Sequence, residues 1–73
     1  MVEMFPVRSD AIVAAGYDRR RRVLEIQFVS GATYDYLDVE PELFDELRRL
    51  QPHPWSQVGE RVKAHRFRRV DRG

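Results

Sequence analysis

Residues 24–36 constrain this chain more than any other stretch. Leu24, Ile26 and Phe28 alternate with Glu25 and Gln27, and Tyr34 and Tyr36 alternate with Thr33 and Asp35. That is the period of a strand with one face buried. Between the two runs, Val29-Ser30-Gly31-Ala32 supplies a short connection, and Gly31 can take the positive φ that a tight hairpin needs. The reading is a β-hairpin whose inner face carries three aromatic rings.

The flanking segments add strands and helices to this hairpin. Ala11 to Tyr17 reads as a small-residue strand in which Ile12 and Ala14 face one way and Val13, Ala15 and Tyr17 the other. Side chains this small allow a helix to pack closely on top. Arg19 to Arg22 are four adjacent cations whose mutual repulsion places them in an exposed turn. Pro41, preceded by acidic residues, is a good first helical position, and Leu43, Phe44, Leu47 and Leu50 then lay an apolar stripe. Acids lead this helix and Arg48-Arg49 close it, which suits the macrodipole.

Pro52-His53-Pro54 ends that helix. Pro54 can open a second one in which Trp55, Val58 and Val62 share a face, with Gly59 weakening it by about 1 kcal/mol relative to Ala. The expected architecture is therefore α+β. An antiparallel sheet of three or four strands, at about 11–17, 23–29, 33–37 and, as the candidate fourth, 65–70, is covered by helices at about 41–50 and 54–64. One domain at 9–70 follows an apolar extended arm at 1–8, which lies along a sheet edge or stays loose, and precedes a tail at 71–73.

Composition excludes several classes of function. With no cysteine there is neither a disulfide framework nor a thiolate metal site, and the composition fits a reducing cytoplasm. No apolar run approaches the roughly 20 residues of a membrane span, and Met1-Val2-Glu3-Met4 starts no signal pattern. His53 and His65 stand in different contexts without acidic neighbours at ligand spacing, so no metal or other cofactor is expected. Ser9, Ser30 and Ser56 lie in no nucleophile context and the four glycines are isolated. No enzyme is expected.

Charge is segregated although its sum is only +1. Asp35, Asp38, Glu40, Glu42, Asp45 and Glu46 form one block, and Arg61, Lys63, Arg66, Arg68, Arg69 and Arg72 another. Solvated faces are the ordinary account of such blocks; a bipolar surface that docks on a large charged partner is the sharper one. Candidate partner contacts are the apolar arm (Met4, Phe5, Val7), Trp55, Phe67 and an arginine rim at Arg66, Arg68 and Arg69. Arg66 to Arg69 interleave cations with a ring able to stack on a base, but twelve acidic residues and a pI near 8.2 weigh against a dedicated nucleic-acid binder.

The ordered set Ser9, Ile12, Gly16-Tyr17-Asp18, Leu24-x-Ile26-x-Phe28, Gly31, Tyr34-x-Tyr36 and Val39-x-Pro41, followed by an amphipathic helix, resembles the KTSC domain family over about residues 7–70. That family is named for a domain at the C-terminus of some lysyl-tRNA synthetases, and it also occurs as small stand-alone bacterial and phage proteins. The resemblance implies a fold and little mechanism. Where the family usually has a small Ser and Gly segment, then aromatics and an Asn, this chain has Pro52-His53-Pro54-Trp55-Ser56. Length and Arg-rich, cysteine-free composition are also similar to those of small phage-encoded regulators of host transcription. That likeness implies binding to bacterial RNA polymerase at the β′ N-terminus and β flap, displacement of sigma and antitermination. The free protein is expected to be a monomer. A nucleic-acid-binding module is the alternative, and a bacterial interaction domain that touches neither is a third.

Overall fold

The alternation of residues 24–36 becomes the hairpin at the centre of a five-stranded antiparallel sheet. The computed structural model describes residues 2–50 and 55–70. Its elements run β1 (Phe5–Pro6), β2 (Ile12–Asp18), β3 (Val23–Phe28), β4 (Thr33–Tyr36), α1 (Pro41–Arg49), α2 (Trp55–Lys63) and β5 (Phe67–Val70). Strand order in the sheet is chain order, so both helices are inserted between the neighbours β4 and β5. The α+β architecture is as the sequence implies. Pro52 and Pro54, read as helix breaker and helix opener, lie outside the described residues, as do His53 and the tail.

The central hairpin is in the register its pattern demands. Leu24 lies opposite Tyr36 and Ile26 opposite Tyr34, so all four share one face. Its loop is Val29-Ser30-Gly31, closed by Phe28 N–H to the Ala32 carbonyl at 2.8 Å and Gly31 N–H to the Phe28 carbonyl at 2.9 Å. Gly31 has φ of 97°, the left-handed residue that a three-residue hairpin loop uses. At the β2–β3 turn, the Asp18 carboxylate accepts from the Arg20 and Arg21 amides at 3.0 and 3.2 Å, which leaves Arg19 to Arg22 on the surface.

Three features correct the reading from sequence. First, the sheet has five strands, not three or four: Phe5 pairs with Ala15 and Pro6 with Ala14, making the apolar arm an edge strand. Of the two places expected for the arm, along a sheet edge or loose, it takes the sheet edge; it was not counted as a strand because two residues carry no alternation to detect and Pro6 lacks an N–H. Second, β2 does not alternate straight through. Its register against β3 shifts between Ile12 and Ala14, so Val13 is the extra residue of a bulge. Ile12, Ala15 and Tyr17 consequently face the helices, while Ala14 and Gly16 face away.

Third, the face away from the helices is not simply solvent. A side-chain carbon built on Gly16 would lie 2.5 Å from both the Glu3 carbonyl oxygen and Val2 Cγ1, and 2.9 Å from Met4 Sδ. Residues 2–4 thus cross that face on the bare backbone of Gly16. Beside them Glu25 and Asp35, directly opposite each other in the ladder, are only 4% and 6% exposed. Arg68 Nη2 lies 3.4 Å from Asp35 Oδ2, whereas Oδ1 has no hydrogen-bond partner among the described residues.

On the other face, Ile12, Ala15, Leu24, Ile26 and Tyr36 meet Val39, Leu43, Phe44 and Leu47 around α1 and Val58 and Val62 of α2 in one buried core. Val39 fixes where α1 begins. Its N–H donates to the Arg22 carbonyl at 2.9 Å, and its carbonyl accepts from the Tyr17 hydroxyl, so the segment entering α1 is tied to the β2–β3 end of the sheet. The Tyr17 ring also stacks on Phe44 at 5.5 Å. From this frame, Gly16→Ala should destabilise the fold by about 1–3 kcal/mol, because backbone rather than a flexible side-chain tip occupies the added methyl's space. A lowered urea midpoint with an unchanged slope is the expected measurement.

An aromatic groove as the candidate functional site

Two nine-residue helices cannot cover all the aromatic surface that the central hairpin presents. α1 lies over the β2 end, with its buried Leu43, Phe44 and Leu47. α2 buries Val58 and Val62 and leaves a groove of about 600 Å³ between itself and β3, β4 and β5. Phe28, Tyr34 and Tyr36 floor it, Trp55 and Lys63 of α2 and Phe67 of β5 wall it, and Ala11, Val29 and Ser30 complete its lining.

The rings form a connected set. Phe28 meets Trp55 and Tyr34 edge to face at 5.3 and 5.8 Å, and Tyr34 meets Phe67 in the same way at 5.5 Å. Phe67 nonetheless remains 58% exposed, and Val29 at the loop is exposed as well. Gly59 explains how Trp55 reaches its place. A side-chain carbon there would lie 3.0–3.1 Å from the indole, which folds back over the next turn of its own helix. The glycine that weakens α2 on propensity makes room for the groove's largest ring.

The structure disperses the residues picked as partner contacts. Trp55 and Phe67 share the groove. Arg69 lies opposite Tyr34 in the ladder, while Arg68 is on the far face with Asp35. Arg66 is exposed just before β5, its carbonyl accepting from Leu37 N–H at 2.8 Å. Met4 crosses Gly16, Val7 packs against the core, and Phe5, at the opposite sheet edge, lies under the Arg48 guanidinium at 5.0 Å. Phe28, Tyr34 and Tyr36 were legible as the hairpin's inner face, but not the fact that Phe28 and Tyr34 stay only half-buried at an open groove while Tyr36 is buried. The signal was there: three rings on one face opposite short helices.

Folding also joins the charge blocks that the sequence keeps apart. Arg61 of α2 reaches Glu46 of α1 at 2.5 Å, and Arg68 reaches Asp35. Lys63, Arg66 and Arg69 stay exposed around β5 and the groove. His65 Nδ1 donates to the Leu37 carbonyl at 3.0 Å, the role a carbonyl partner requires of it. Among the described residues no three His, Asp or Glu side chains are grouped to hold a metal ion, and no helix is long and apolar enough to cross a membrane. The groove's chemistry is that of an apolar cleft with hydroxyls and one ammonium at its margins.

Residues 8–51 match the KTSC domain. The chain belongs to the KTSC domain family. It is 54% identical over 44 residues to a protein of Tsukamurella paurometabola, a match covering 60% of this chain and 66% of that protein. It is 39% identical over 41 residues to an uncharacterized protein of Stutzerimonas stutzeri, covering 56% of this chain and 58% of that protein. These matches thus span about two thirds or less of the relatives' own lengths. The crystal structure of a KTSC domain protein from Yersinia pestis superposes with a TM-score of 0.88 at 28% identity, covering 97% of this chain and 100% of that one. The KTSC match includes the groove's floor, whereas Trp55, Lys63 and Phe67 lie beyond it.

Two predictions follow from the rings. Gly59→Ala should displace the indole from Phe28, seen as a red shift of tryptophan emission, with the roughly 1 kcal/mol gain in helix propensity largely cancelled by lost ring packing. Burial pushes the Tyr36 phenol above its ordinary 10.0, with Tyr34 adding to the rise. The folded chain therefore keeps this proton to higher pH than the unfolded chain. The resulting stability is complete below pH 10.0 and is lost as pH rises through the folded value. Urea midpoints should fall above that pH, and Tyr36→Phe should flatten the fall.

Proposed function

We propose that this KTSC domain is a binding module without chemistry of its own, that the aromatic groove is its contact surface, and that its partner is a bacterial RNA polymerase. The observation carrying the binding reading is the cluster of Trp55, Tyr34 and the largely exposed Phe67 in one open cleft. Aromatic anchors of this kind dominate interface energetics, and a folded chain gains nothing internally from leaving them wet. Polymerase as the partner rests on the likeness to small phage-encoded transcription regulators in length and composition. On that likeness the chain engages the β′ N-terminus and the β flap, displaces sigma at initiation and carries elongation past terminators.

A second reading is single-stranded nucleic-acid binding, favoured by Lys63 and Arg69 beside the rings. The two separate by salt and by partner. Gel filtration with core polymerase and holoenzyme, at physiological ionic strength where loose charge attraction is screened, should show co-elution with core and loss of sigma from holoenzyme. Trp55→Ala and Phe67→Ala should each weaken that association by about tenfold or more. Elution of the small protein alone, together with steeply salt-dependent binding to single-stranded RNA, would replace the polymerase reading with the second one.

A further inference from the structure

β5 ends the sheet, and among the described residues no strand lies on its outer side. Leu37 N–H donates to the Arg66 carbonyl, and the antiparallel ladder continues with Asp35 opposite Arg68 and Thr33 opposite Val70. Hydrogen-bonded positions alternate in such a ladder, so the backbone groups of Arg66, Arg68 and Val70 point inward and those of Phe67 and Arg69 point outward. The other edge is unlike this one. β1 has two residues, one of them Pro6, which blunts it.

The two faces of this open edge differ. Phe67 turns into the groove against Tyr34 and Tyr36, whereas Arg68 lies on the far face at Asp35, and exposed Arg66 has the same parity as Arg68. A strand laid along β5 would alternate in the same way, with one set of side chains over the groove and the other beside the two arginines. A second copy of β5 would bring identical arginines against these, which like charge disfavours. We propose that the outer edge of β5 accepts an extended segment of a protein partner in which apolar and acidic residues alternate, the apolar ones entering the groove and the acidic ones meeting Arg66 and Arg68. The outward N–H and C=O groups supply affinity and the alternation supplies specificity. This rests on the reading of the groove as a protein-docking surface and adds the mode of docking.

The probe is a seven-residue peptide alternating glutamate with valine and carrying one central tryptophan, titrated into the isotope-labelled chain and followed by amide NMR. Amide shifts should concentrate on residues 66–70 and the groove, and the Phe67 and Arg69 amides should become protected from exchange. Arg69→Pro removes an outward N–H that the ladder to β4 does not use, and should weaken peptide binding by about tenfold, the loss of roughly one backbone hydrogen bond. Arg69→Ala keeps that N–H and should change it by no more than about threefold. Arg66→Glu, on an exposed side chain outside the ladder's ion pair, should weaken the peptide by about tenfold and serves if the proline variant misfolds.

Shifts at β1 or α1 instead, unchanged affinity of a folded Arg69→Pro variant, or capture of a uridine oligonucleotide but not the peptide at β5 would each overturn the proposal. Polymerase association that survives Arg69→Pro at full strength would overturn strand addition while leaving polymerase docking in place. Peptide binding at β5 without any polymerase association would support strand addition and remove polymerase as the partner.

Discussion

Val39 is held at both of its backbone polar groups, its N–H by the Arg22 carbonyl and its carbonyl by the Tyr17 hydroxyl. A fully buried peptide unit must find partners inside the protein, and these two come from the end of the β2–β3 hairpin. The consequence is positional. α1 starts next to Tyr17, stacks Phe44 on that ring and covers the β2 side of the sheet. With that half taken, α2 is left to shield the β3–β4–β5 half, which it does only in part. The groove follows from where the first helix is pinned.

The same constraint gives physical content to residues 16–18. Gly16 admits the crossing of residues 2–4, Tyr17 anchors Val39, and Asp18 caps the arginine turn through its carboxylate. Each acts through a different neighbour, so no single local rule announces the trio. The hairpin at 24–36 was legible because alternation, glycine and loop length all act within a dozen residues. α1 was legible for the same reason, from Pro41 to its closing arginines. What escaped were features set by partners distant in sequence. The bulge at Val13 depends on β3, β1 depends on β2, and the burial of Glu25 and Asp35 depends on what crosses Gly16. Pairing between the charge blocks is distant in the same way, since the sequence separates acids from arginines that the fold pairs at Glu46–Arg61 and Asp35–Arg68.

For the candidate site, sequence supplied two of the groove's walls and filed its floor under core. Phe28, Tyr34 and Tyr36 have the spacing of buried strand residues whether a helix covers them or not. Only the placement of α2, set by its buried Val58 and Val62 and by the indole lying over Gly59, decides how much of each ring stays open. The floor lies within the stretch matching the KTSC domain and the wall beyond it. A change in Trp55 or Phe67 alters the cleft's shape through the ring contacts these two make with Phe28, Tyr34 and Tyr36 of the hairpin beneath.

The insertion of both helices between β4 and β5 also bears on the order of assembly. β2, β3 and β4 join through short turns, so their pairing closes small loops, while β5 can add only after a connection of roughly 30 residues has been ordered. An edge strand closed by a long connection is the natural last unit to fold and first to open. The cleft is thus built on the seam between an early meander and a late strand, so its shape is coupled to local unfolding. Anything that clamps β5 against β4 would stabilise the whole domain by mass action, which makes the last strand to add also the wall of the cleft proposed as the contact surface.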